Sequence, residues 1–380
     1  RSYSVTGVQT CALPISTDIV EKEMYSFTDK GDNSLTLRPE FTAGFIRLYL
    51  QNGMHMLPKP VKLFSMGPIF RFERPQAGRF RQHTQFNVEA FGEQDPAVDV
   101  EVMSIAWQLY SELGFKGLRF QLNSTGCPQC RPAYIEILKA YYRQNLHRVC
   151  PDCQRRLDRN ALRLLDCKVE GCQPVIADAP VISRHLCGEC HDHFQHLCGH
   201  LDRLQRPYVI NHKLVRGLDY YTKTVFEVWV QGIGSQNAMC GGGRYDGLIE
   251  QLGGDPTPGI GFGSGIERII LSMKEQGLLP EPLVEPQVLV AYMGEKSKHK
   301  ALDLVFRLRS AAIPALMSFG DKSFKAQMRD ANRMQAACVL ILGDSEIEKS
   351  VVALKDLRQG EQSEISDAAV IDAVKNKLAQ

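Results

Sequence analysis

The spacing of apolar positions predicts a first domain in which short antiparallel strands alternate with amphipathic helices. The segment MYSFTDKGDNSLTLRP alternates apolar and polar side chains around KGDNS, and Gly, Asp and Asn favour turns, so we predict strand, turn, strand. The next segment, EFTAGFIRLYLQ, has apolar residues at helical spacing. Residues 60–92 predict a hairpin. DPAVDVEVMSIAWQLYSELG predicts a helix that begins at Asp95-Pro96 and ends at Gly114.

The composition and the pattern of apolar and polar residues change near residue 125 and again near residue 207, so the sequence predicts domain boundaries at these positions. From Cys127 to His200 lie nine of the 12 cysteines and six of the ten histidines. Strand-like alternation then returns, and LPEPLVEPQ is a proline-rich linker before a module with strands VLVAYMG and CVLILG. The first 16 residues, RSYSVTGVQTCALPIS, share no periodicity with the rest of the chain and are predicted to be non-native. We predict the α+β class, with these domains: an antiparallel sheet core flanked by helices at 17–124 and 207–283, an inserted helical Cys/His-rich domain at 125–206, and a C-terminal α/β domain at 284–380.

Composition and charge narrow the classes that the chain can belong to. The 44% hydrophobic and 23% charged residues are typical of a globular protein of this length. The net charge of +2 carries no whole-chain signature of nucleic-acid binding. No apolar run approaches the ~18 residues that a membrane helix needs, so no membrane partner is expected. Disulfide scaffolds are small and secreted, whereas these cysteines cluster in one part of a long chain, which favours reduced thiols and a cytoplasmic location.

The hairpin FRFERPQAGRFRQHTQFNVEAFG combines polar strand faces with an arginine-rich turn. The period of two puts the polar residues of each strand on a common face. Arginine gives permanently charged, bidentate contacts suited to phosphate, so these residues predict the floor of an anion-binding pocket. Cross-strand ion pairs on an exposed surface would give the same pattern. The polar residues are Arg71 and Glu73 on the first strand and Gln85, Asn87 and Glu89 on the return strand.

Four further segments of the same predicted domain contain arginines, carboxylates or glycines that leave the backbone uncovered. GIGFGSGIER passes from a glycine-rich strand into a helix that starts near Arg268, without the Gly-Lys-Ser/Thr of a phosphate-binding P-loop. LTLRPE supplies Glu40, VRGLDYY supplies Arg216, Tyr220 and Tyr221, and GGGRYDG supplies three consecutive glycines. Tight strand–helix packing would also use such glycines. Together, the segments indicate a site for one ligand rich in phosphate and another that carries an amine or imidazole.

The same segments resemble the motifs of a known enzyme family. The hairpin resembles motif 2 of class II aminoacyl-tRNA synthetases in the form found in histidyl-tRNA synthetases, and GIGFGSGIERII resembles motif 3. LVRGLDYYTKTVFEV and GGGRYDGL resemble the two signature stretches that distinguish the histidine enzymes within class II. The likeness runs from about residue 17 to the end. The upstream part of motif 1, which builds the dimer interface in this class, has no counterpart, so a homodimer is expected when the native N-terminus is present.

The resemblance implies a histidine–tRNA ligase that uses ATP with Mg²⁺, L-histidine and tRNA(His). Such an enzyme activates histidine to histidyl-adenylate and transfers it to the 3′ end of the tRNA. By resemblance, Arg71 would hold the α-phosphate and the histidine carboxylate, Arg216 would approach the α-phosphate in place of a metal ion, and Arg268 would bind the γ-phosphate. The ATP site would also include Glu73 and Arg79. The residues that would read histidine are Glu40, Thr42, Gln85, Glu89, Tyr220 and Tyr221, and those that would meet the tRNA acceptor end are Arg74 and Arg81.

The cysteines of the insert allow three interpretations: a structural zinc site, buried reduced thiols, or disulfides. Pairs with metal-ligand spacing stand at positions 127/130, 150/153 and 187/190, and Cys167 and Cys172 could add two more ligands. In this family the insert lies over the tRNA acceptor arm, so zinc there would be architectural. The favoured zinc ligands are the first two pairs, Cys127, Cys130, Cys150 and Cys153. The histidines expected to face solvent rather than a metal are His191, His193, His196 and His200.

The C-terminal module resembles the anticodon-binding domain shared by several class II synthetases. Basic residues near its helix SFKAQMRDANRM would form either an RNA-binding face or an ordinary solvated face. Three alternatives compete with the main interpretation. They are the synthetase-like regulatory subunit of ATP phosphoribosyltransferase, which lacks the anticodon domain; a class II synthetase for proline, threonine or glycine; and a zinc-dependent nucleic-acid-binding module without enzyme activity. The basic residues are Lys322, Lys325, Arg329 and Arg333.

Overall fold

The chain divides into two compact units, residues 1–279 and 280–380. The first unit contains a three-stranded and a seven-stranded sheet, and the second contains a five-stranded sheet. Among the described helices, none is long and apolar enough to cross a membrane. The predicted α+β class, with a large antiparallel-rich sheet, flanking helices and a C-terminal α/β domain, is confirmed. The structure is a computed structural model that describes residues 8–9, 23–72, 80–231, 238–280 and 287–378.

The first unit begins with the predicted strand, turn and strand. Its small antiparallel sheet has the order β1-β3-β2, with β1 (Val8–Gln9), β2 (Ser26–Thr28) and β3 (Ser34–Leu37). β1 belongs to the segment predicted to be non-native, and its backbone pairs with β3. Asp29 forms the turn, because its Oδ1 accepts hydrogen bonds from the N–H groups of Gly31 at 2.8 Å and Asn33 at 2.9 Å. This self-bonding is the reason that aspartate favours turns.

The large sheet of the first unit contains the site-forming strands. These strands are β4 (Val61–Phe70), β5 (Gln82–Phe91), β6 (Arg119–Ser124), β7 (Tyr208–Ile210), β8 (Thr222–Trp229), β9 (Ala238–Arg244) and β10 (Gly259–Gly265). Their order is β4-β5-β10-β9-β8-β6-β7, and every neighbouring pair is antiparallel except β6 and β7. The predicted hairpin is therefore β4 with β5. The helices of this unit are α1 (Thr42–Gln51), α2 (Pro96–Glu112), α3 (Arg131–Gln144), α4 (Pro151–Arg159), α5 (Gln173–Ala177), α6 (Gly188–Arg203), α7 (Leu248–Gln251) and α8 (Ile266–Glu275).

Helix α2 has the bounds that the sequence predicted. Asp95 caps its N-terminus by accepting a hydrogen bond from Ala97 N–H at 2.8 Å, and Pro96 occupies the first turn. Gly114, with φ +87°, follows the helix and makes the left-handed exit that other residues disfavour. α2, α6 and α8 pack together against one face of the large sheet, and this is the main core of the unit. The opposite face is covered by α1 and by aromatic residues, and this second face carries the site.

The inserted segment is helical, as predicted, but its last helix packs elsewhere. α3, α4 and α5 enclose a separate small core that includes Tyr134, Leu157 and Val175. α6 instead packs on α2 in the main core. The expectation that His193 faces solvent is wrong: it is buried, and its Nε2 lies 2.9 Å from Asp99 Oδ2, because the apolar stripe of α6 faces α2.

The second unit is built on a mixed sheet of its own. Its strands are β11 (Val288–Tyr292), β12 (Ala315–Met317), β13 (Cys338–Leu342), β14 (Val351–Asp356) and β15 (Gln362–Ser366), and its helices are α9 (Glu295–Ser310), α10 (Phe324–Arg333), α11 (Asp344–Glu348) and α12 (Val370–Leu378). The order is β12-β11-β13-β14-β15, parallel among the first three strands and antiparallel beyond them. α9 and α12 cover one face and α10 covers the other.

Candidate active site

The floor of the site is a row of residues that crosses four neighbouring strands. Asn87 on β5 pairs with Gly263 on β10, which pairs with Gly241 on β9, which in turn pairs with Glu227 on β8. Side chains alternate between the two faces of a strand, so Glu89 shares the face of Asn87, as the hairpin pattern predicted. Polar side chains therefore stand on the outer strands of the row, and the two middle strands present bare backbone between them.

Glycine is required on the middle strands because two functional side chains lie flat across them. A Cβ on Gly241 would lie 2.3 Å from the terminal nitrogens of the Arg216 guanidinium. A Cβ on Gly261 would lie 1.7 Å from Glu89 Oε2 and 2.5 Å from the backbone oxygen of Val88. Glycine in a strand interior often marks a place where another group approaches the backbone closely. The glycine-rich strands are thus part of the site and not only of the packing.

An open cleft of about 380 Å³ lies over one end of this floor. Four arginines line it. Three come from distant segments of the core, namely Arg71 after β4, Arg216 before β8 and Arg268 in the first turn of α8, and the fourth, Arg163, comes from the insert. We call it the arginine cleft. The cleft therefore brings together guanidinium groups from the segments that resemble motif 2, a histidine signature stretch and motif 3. Such convergence is the geometry that binds a polyphosphate.

Each cleft arginine is held by the protein while part of its side chain remains accessible. Arg71 Nε donates to the backbone oxygen of Pro39 at 2.8 Å, and Arg268 Nη1 donates to that of Ala238 at 3.1 Å. Arg216 Nη1 forms an ion pair with Glu227 Oε1 at 2.5 Å. Burial disfavours the charge of Arg216, but the carboxylate outweighs it, so the pKa of this guanidinium is raised. The arginines are therefore oriented before any ligand arrives.

A smaller cavity of about 80 Å³ adjoins the cleft, and we call it the inner cavity. Arg71, Arg216, Gly241 and Gly263 line both spaces, so the two are continuous. Its walls are mainly polar, and five of the six residues predicted to bind histidine are among them, the exception being Glu89. The remaining wall residues are Glu40, Thr42, Gln85, Asn87, Leu218, Tyr220, Tyr221, Tyr245, Gly261 and Phe262.

Of two buried carboxyl groups in this region, Glu40 lines the inner cavity, and Glu89 lies behind the wall, bonded to two wall residues. Glu89 is 1% exposed and accepts hydrogen bonds from Thr42 Oγ1 at 2.7 Å and from the Tyr245 hydroxyl. Burial raises the pKa of Glu89 to about 8, and the nearby Glu40 charge adds to the effect. Glu40 accepts from the N–H groups of Thr42 at 2.5 Å and Ala43 at 2.9 Å, at the start of α1, while burial raises its pKa. Such groups suit a cationic or N–H-rich ligand.

Two polar groups of the site are buried without a hydrogen-bond partner among the described residues. They are Nδ2 of Asn87, on the wall of the inner cavity, and Nε of Arg216, on the shared wall. A buried donor without a partner is costly, by about 1–3 kcal/mol, and rare in folded proteins. Both donors are therefore available to a ligand in the inner cavity.

Tyr245 was not among the predicted site residues, although the segment GGGRYDG contains it. The prediction paired Glu89 with Tyr221, whereas the tyrosine that donates to Glu89 is Tyr245; Tyr221 lines the same cavity. Tyr245 is fixed by its neighbour Arg244, which is fully buried and donates to Asp99 at 2.8 Å. The aromatic and arginine pattern of GGGRYDG was the available signal, but the strand pairing that aims Tyr245 at Glu89 is not local.

The hairpin differs in one respect from the prediction. Arg71 was predicted on the strand face, but β4 ends at Phe70, and Arg71 lies one residue beyond it, where its N–H donates to Arg81 O at 2.9 Å. Arg81 itself is exposed, with its guanidinium carbon 4.4 Å from the ring centroid of Phe72. The turn of the hairpin lies outside the described residues, and with it lie Glu73, Arg74 and Arg79.

The insert cysteines form two separate four-thiol clusters, and this corrects the predicted pairing. The first two pairs do not share a site: Cys127 and Cys130 lie with the pair at 187/190, and Cys150 and Cys153 lie with the cysteines at 167 and 172. In each cluster all sulfur atoms lie within 4.8 Å of one another. We call these the neck cluster (Cys127, Cys130, Cys187 and Cys190) and the insert cluster (Cys150, Cys153, Cys167 and Cys172).

Comparisons with known proteins agree with the motif resemblance. A family model described as Histidyl-tRNA synthetase matches residues 12–269, and one described as Anticodon binding domain matches residues 287–377. The chain is 49% identical over 376 residues to the histidine–tRNA ligase of Dehalococcoides mccartyi, covering 99% of this chain and 90% of that protein. It is 48% identical over 357 residues to the histidine–tRNA ligase of Moorella thermoacetica, covering 94% and 84%.

A solved structure leads to the same family. The crystal structure of apo histidyl-tRNA synthetase from S. aureus matches with a TM-score of 0.77 at 34% identity, over 98% of this chain and 90% of that chain. The anticodon-domain match and the histidine-specific relatives contradict the regulatory-subunit, other-synthetase and nucleic-acid-module alternatives. The chain therefore belongs to the histidyl-tRNA synthetase family of class II aminoacyl-tRNA synthetases, and its function is that of a histidine–tRNA ligase.

Proposed function

We propose that the arginine cleft binds the phosphates of ATP and that the inner cavity binds histidine. The observation that carries this proposal is the convergence of the Arg71, Arg216 and Arg268 guanidinium groups on a cleft that is continuous with a polar cavity. Glu40 lines that cavity, and the buried Glu89 is hydrogen-bonded to two of its wall residues. Aminoacyl-tRNA synthetases use ATP with Mg²⁺, and the ion enters with the nucleotide and neutralises phosphate charge. Arg71 then contacts the α-phosphate and the histidine carboxylate, Arg268 contacts the γ-phosphate end, and Arg216 approaches the α-phosphate.

In this assignment, histidine is recognised at both ends. Glu40, with Thr42 and Gln85, holds the α-ammonium, and Glu89 with Tyr245 holds the imidazole. Imidazole presents one donor and one acceptor nitrogen, or two donors when protonated, and a cavity with buried polar groups rejects analogues that leave them unpaired. Tyr220 and Tyr221 supply the remaining wall, with ring centroids 4.9 Å apart.

The chemistry proceeds in two displacements. A histidine carboxylate oxygen attacks the α-phosphorus of ATP in line, the acyl–phosphate bond forms, and pyrophosphate leaves with the electrons of the broken α–β bond. A ribose hydroxyl at the 3′ end of tRNA(His) then attacks the acyl carbon, loses its proton, and AMP leaves. The donors at Arg71 and Arg216 stabilise charge that develops on the α-phosphate, so positioning and electrostatics supply the rate enhancement.

The test of this assignment is histidine-dependent ATP–pyrophosphate exchange with an arginine variant. Arg216→Ala should lower the exchange rate by about 10²–10³-fold, the cost of removing one preorganised donor. The matched control is Arg119→Ala, an exposed arginine on β6 outside both cavities, which should retain wild-type exchange. Full activity of Arg216→Ala would remove this arginine from the mechanism, and no exchange by the wild-type protein would contradict the assignment of the site.

We also propose tRNA contacts at both units. Arg81, which is exposed beside the hairpin turn, meets the acceptor end together with Arg74. In the second unit, the exposed basic side chains around α10 meet tRNA(His) through phosphate contacts. One of them, Lys322, forms an ion pair with Asp330 at 2.7 Å. Charge reversal at Arg329, which is exposed on the same helix, should weaken aminoacylation and leave pyrophosphate exchange unchanged, and equal loss in both assays would contradict this role.

We propose a homodimer formed through β4. Among the described strands, β4 is at the edge of the large sheet, and it exposes Phe64 at 76% and Met66 at 65%. Exposed strand edges with large apolar side chains are surfaces that proteins normally cover. Phe64→Glu should convert the dimer to a monomer in analytical ultracentrifugation, whereas Phe306→Glu, a 58% exposed phenylalanine in the second unit, should not. An unchanged dimer in the first variant would place the interface elsewhere.

We further propose that the thiol clusters hold structural zinc and that the protein works in the cytoplasm. Both proposals are supported by the free state of the described cysteines, since thiolates of this kind bind metal and persist in a reducing compartment.

A further inference from the structure

We propose that the neck cluster binds Zn²⁺ and that this metal positions residues 219–223, the segment that forms one wall of the inner cavity. The inference rests on the proposed function of that cavity and adds a structural dependence: histidine binding relies on a metal outside the active site. The two clusters would then have different tasks. The insert cluster stabilises the insert, and the neck cluster stabilises the histidine pocket.

The sulfur positions of the neck cluster fit a tetrahedral metal. Sγ of Cys127 lies 3.8 Å from that of Cys130 and 3.7 Å from that of Cys187, and Cys130 and Cys190 are 3.9 Å apart. With Zn–S bonds of about 2.3 Å, the edge of a tetrahedron of sulfurs is about 3.8 Å. Disulfide sulfurs would be separated by about 2.05 Å. The spacing therefore matches shared coordination and not oxidation.

The cluster joins the two ends of the insert where they meet the catalytic core. Cys127 and Cys130 lie between β6 and α3, where the chain leaves the large sheet. Cys187 and Cys190 begin α6, which packs on α2 in the main core. Gly126, at φ +68°, makes the entry turn, and a Cβ there would lie 2.9 Å from Cys130 Sγ. A metal at this point links the two ends of the insert. It closes the long loop between them, which reduces the number of conformations open to the unfolded chain, and it holds the two cysteine-bearing segments together in the folded protein.

The first connection from the neck to the pocket runs through Arg131, the residue after Cys130. Its guanidinium Nη2 donates to the backbone oxygen of Tyr221, while Nε donates to that of Thr125 at 2.8 Å. Nη2 also lies 3.2 Å from the oxygen of Gly126. The side chain therefore ties the turn that carries Cys127 to the backbone of a residue that lines the inner cavity.

The second connection runs from the other cysteine pair. Glu189, between Cys187 and Cys190, accepts a hydrogen bond from Lys223 Nζ at 2.7 Å. The Lys223 side chain is 8% exposed and also faces Asp246 at 3.7 Å, and its backbone N–H donates to Gly126 O at 2.8 Å. Lys223 has a positive φ of 48°, a conformation that lysine adopts only when its surroundings hold it. Both halves of the neck cluster thus hold the same short segment.

The insert cluster has a more limited connection to this segment. Its cysteines belong to the small core of the insert, and Cys150 and Cys167 have sulfurs 3.9 Å apart. The contact from the adjoining helix end to the pocket segment is a side-chain bond, Asn160 Nδ2 to Asp219 Oδ1 at 2.6 Å. Loss of this second metal should therefore disturb the backbone of residues 219–223 less than loss of the neck metal.

The experiment measures metal content and histidine kinetics on the full chain purified without chelator. Wild-type protein should contain two zinc ions per chain, one for each cluster, and Co²⁺ in their place should give the thiolate charge-transfer absorption of tetrahedral sites. Cys187→Ser should lose one metal and raise the histidine KM in pyrophosphate exchange about tenfold or more, with a smaller change in kcat. Cys198→Ser is the matched control, because this buried cysteine lies on the same helix outside both clusters.

Two further variants separate the metal from its connections. Arg131→Ala should keep both metals and still raise the histidine KM, and Arg131→Lys should restore part of the affinity. Cys150→Ser should lose one metal with a smaller rise in the histidine KM than Cys187→Ser. If Cys187→Ser does not fold, the Co²⁺ spectrum and the Arg131 variants carry the test.

Several outcomes would overturn the inference while the assignment of the arginine cleft to ATP and of the inner cavity to histidine stands. Folded, exchange-active wild-type protein without zinc or a Co²⁺ thiolate band would show that the clusters are only buried thiols. Equal histidine KM values in Cys187→Ser and wild-type protein, or an equal rise in Cys150→Ser, would remove the positioning role. Absence of exchange in metal-loaded wild-type protein would instead contradict the proposed function.

Discussion

The inner cavity and the arginine cleft share a wall, yet they hold their charged groups in opposite ways. At the inner cavity, the carboxyl groups of Glu40 in the wall and Glu89 behind it are buried and already accept hydrogen bonds from the protein. In the cleft, the arginines stay partly accessible; the Arg216 side chain, for example, is 23% exposed. A buried polar cavity selects its ligand, because a wrong ligand leaves groups unpaired, whereas an open cluster of cations neutralises charge on many phosphates. Substitutions at the inner cavity should therefore change selectivity for the ligand, and substitutions in the cleft should change the stabilisation of charge during catalysis.

Two glycine variants on adjacent strands are expected to give the largest effects, one on histidine binding and the other on catalysis. Gly261→Ala would force Glu89 away from its position, so the histidine KM should rise by about 10²-fold. Gly241→Ala would displace the Arg216 guanidinium, so kcat should fall by about 10²-fold while the histidine KM changes little. Pyrophosphate exchange with histidine and ATP varied separately measures both constants.

Gly199→Ala is the control for these variants. A Cβ at Gly199 meets no atom within 4 Å, and the residue lies in α6, where alanine is well tolerated. Its kinetics should match those of the wild-type protein. If the two strand variants instead raised the KM values for histidine and ATP together and to the same extent, the cavity and the cleft would have to be regarded as one site.

An intermediate effect is expected from Glu89→Gln. Glutamine keeps the shape of the side chain but cannot accept as strongly from Thr42, Tyr245 and the ligand, so the histidine KM should rise about 10–100-fold with an unchanged ATP KM. Tyr245→Phe removes one donor to the same carboxyl and should give a smaller rise. Wild-type histidine affinity in Glu89→Gln would show that this carboxyl does not read the ligand.

The smallest effect is expected in the pH dependence of stability. Burial raises the pKa of Glu89 from 4.5 to about 8, so between these values the folded, ligand-free protein binds this proton more tightly than the unfolded chain. By linkage, its contribution to the free energy of unfolding falls as pH rises through that window and levels off above it. Thermal melts of wild-type protein should therefore lose stability toward pH 8 more steeply than those of Glu89→Gln. Parallel pH curves would contradict the raised pKa.

The features that could be predicted from the sequence are those that depend on local spacing. The period of two put Asn87 and Glu89 on one strand face, and the capping pattern at Asp95-Pro96 fixed the start of α2. The arginines after β4 and in α8 were identified from motifs, and the structure brings them to one cleft. Each of these features depends on residues that are close together in the chain, so it can be predicted from a single sequence.

The parts that the sequence did not predict depend on contacts between distant segments. Tyr245 follows β9 and Glu89 lies on β5, and the two meet because β10 alone separates these strands in the sheet. No local sequence pattern predicts that strand order. The cysteine pairs matched metal spacing, but the partners that they meet depend on tertiary packing. The pair at 127/130 meets the start of α6, which packs on α2, and the pair at 150/153 meets Cys167 and Cys172 in the small core of the insert. The same packing buries His193.

The bare backbone at Gly241 and Gly261 limits how a pocket of this kind can change. A surface made of main-chain atoms offers no side chain to enlarge, shorten or recharge by small steps, and the first added carbon already collides with a neighbour. Adaptation to another amino acid would have to begin at the wall side chains, which lie on β5, around the start of α1, in the segment 218–221 and at Tyr245. The variable part of this active site is thus confined to its margins, around a centre that tolerates only the smallest residue.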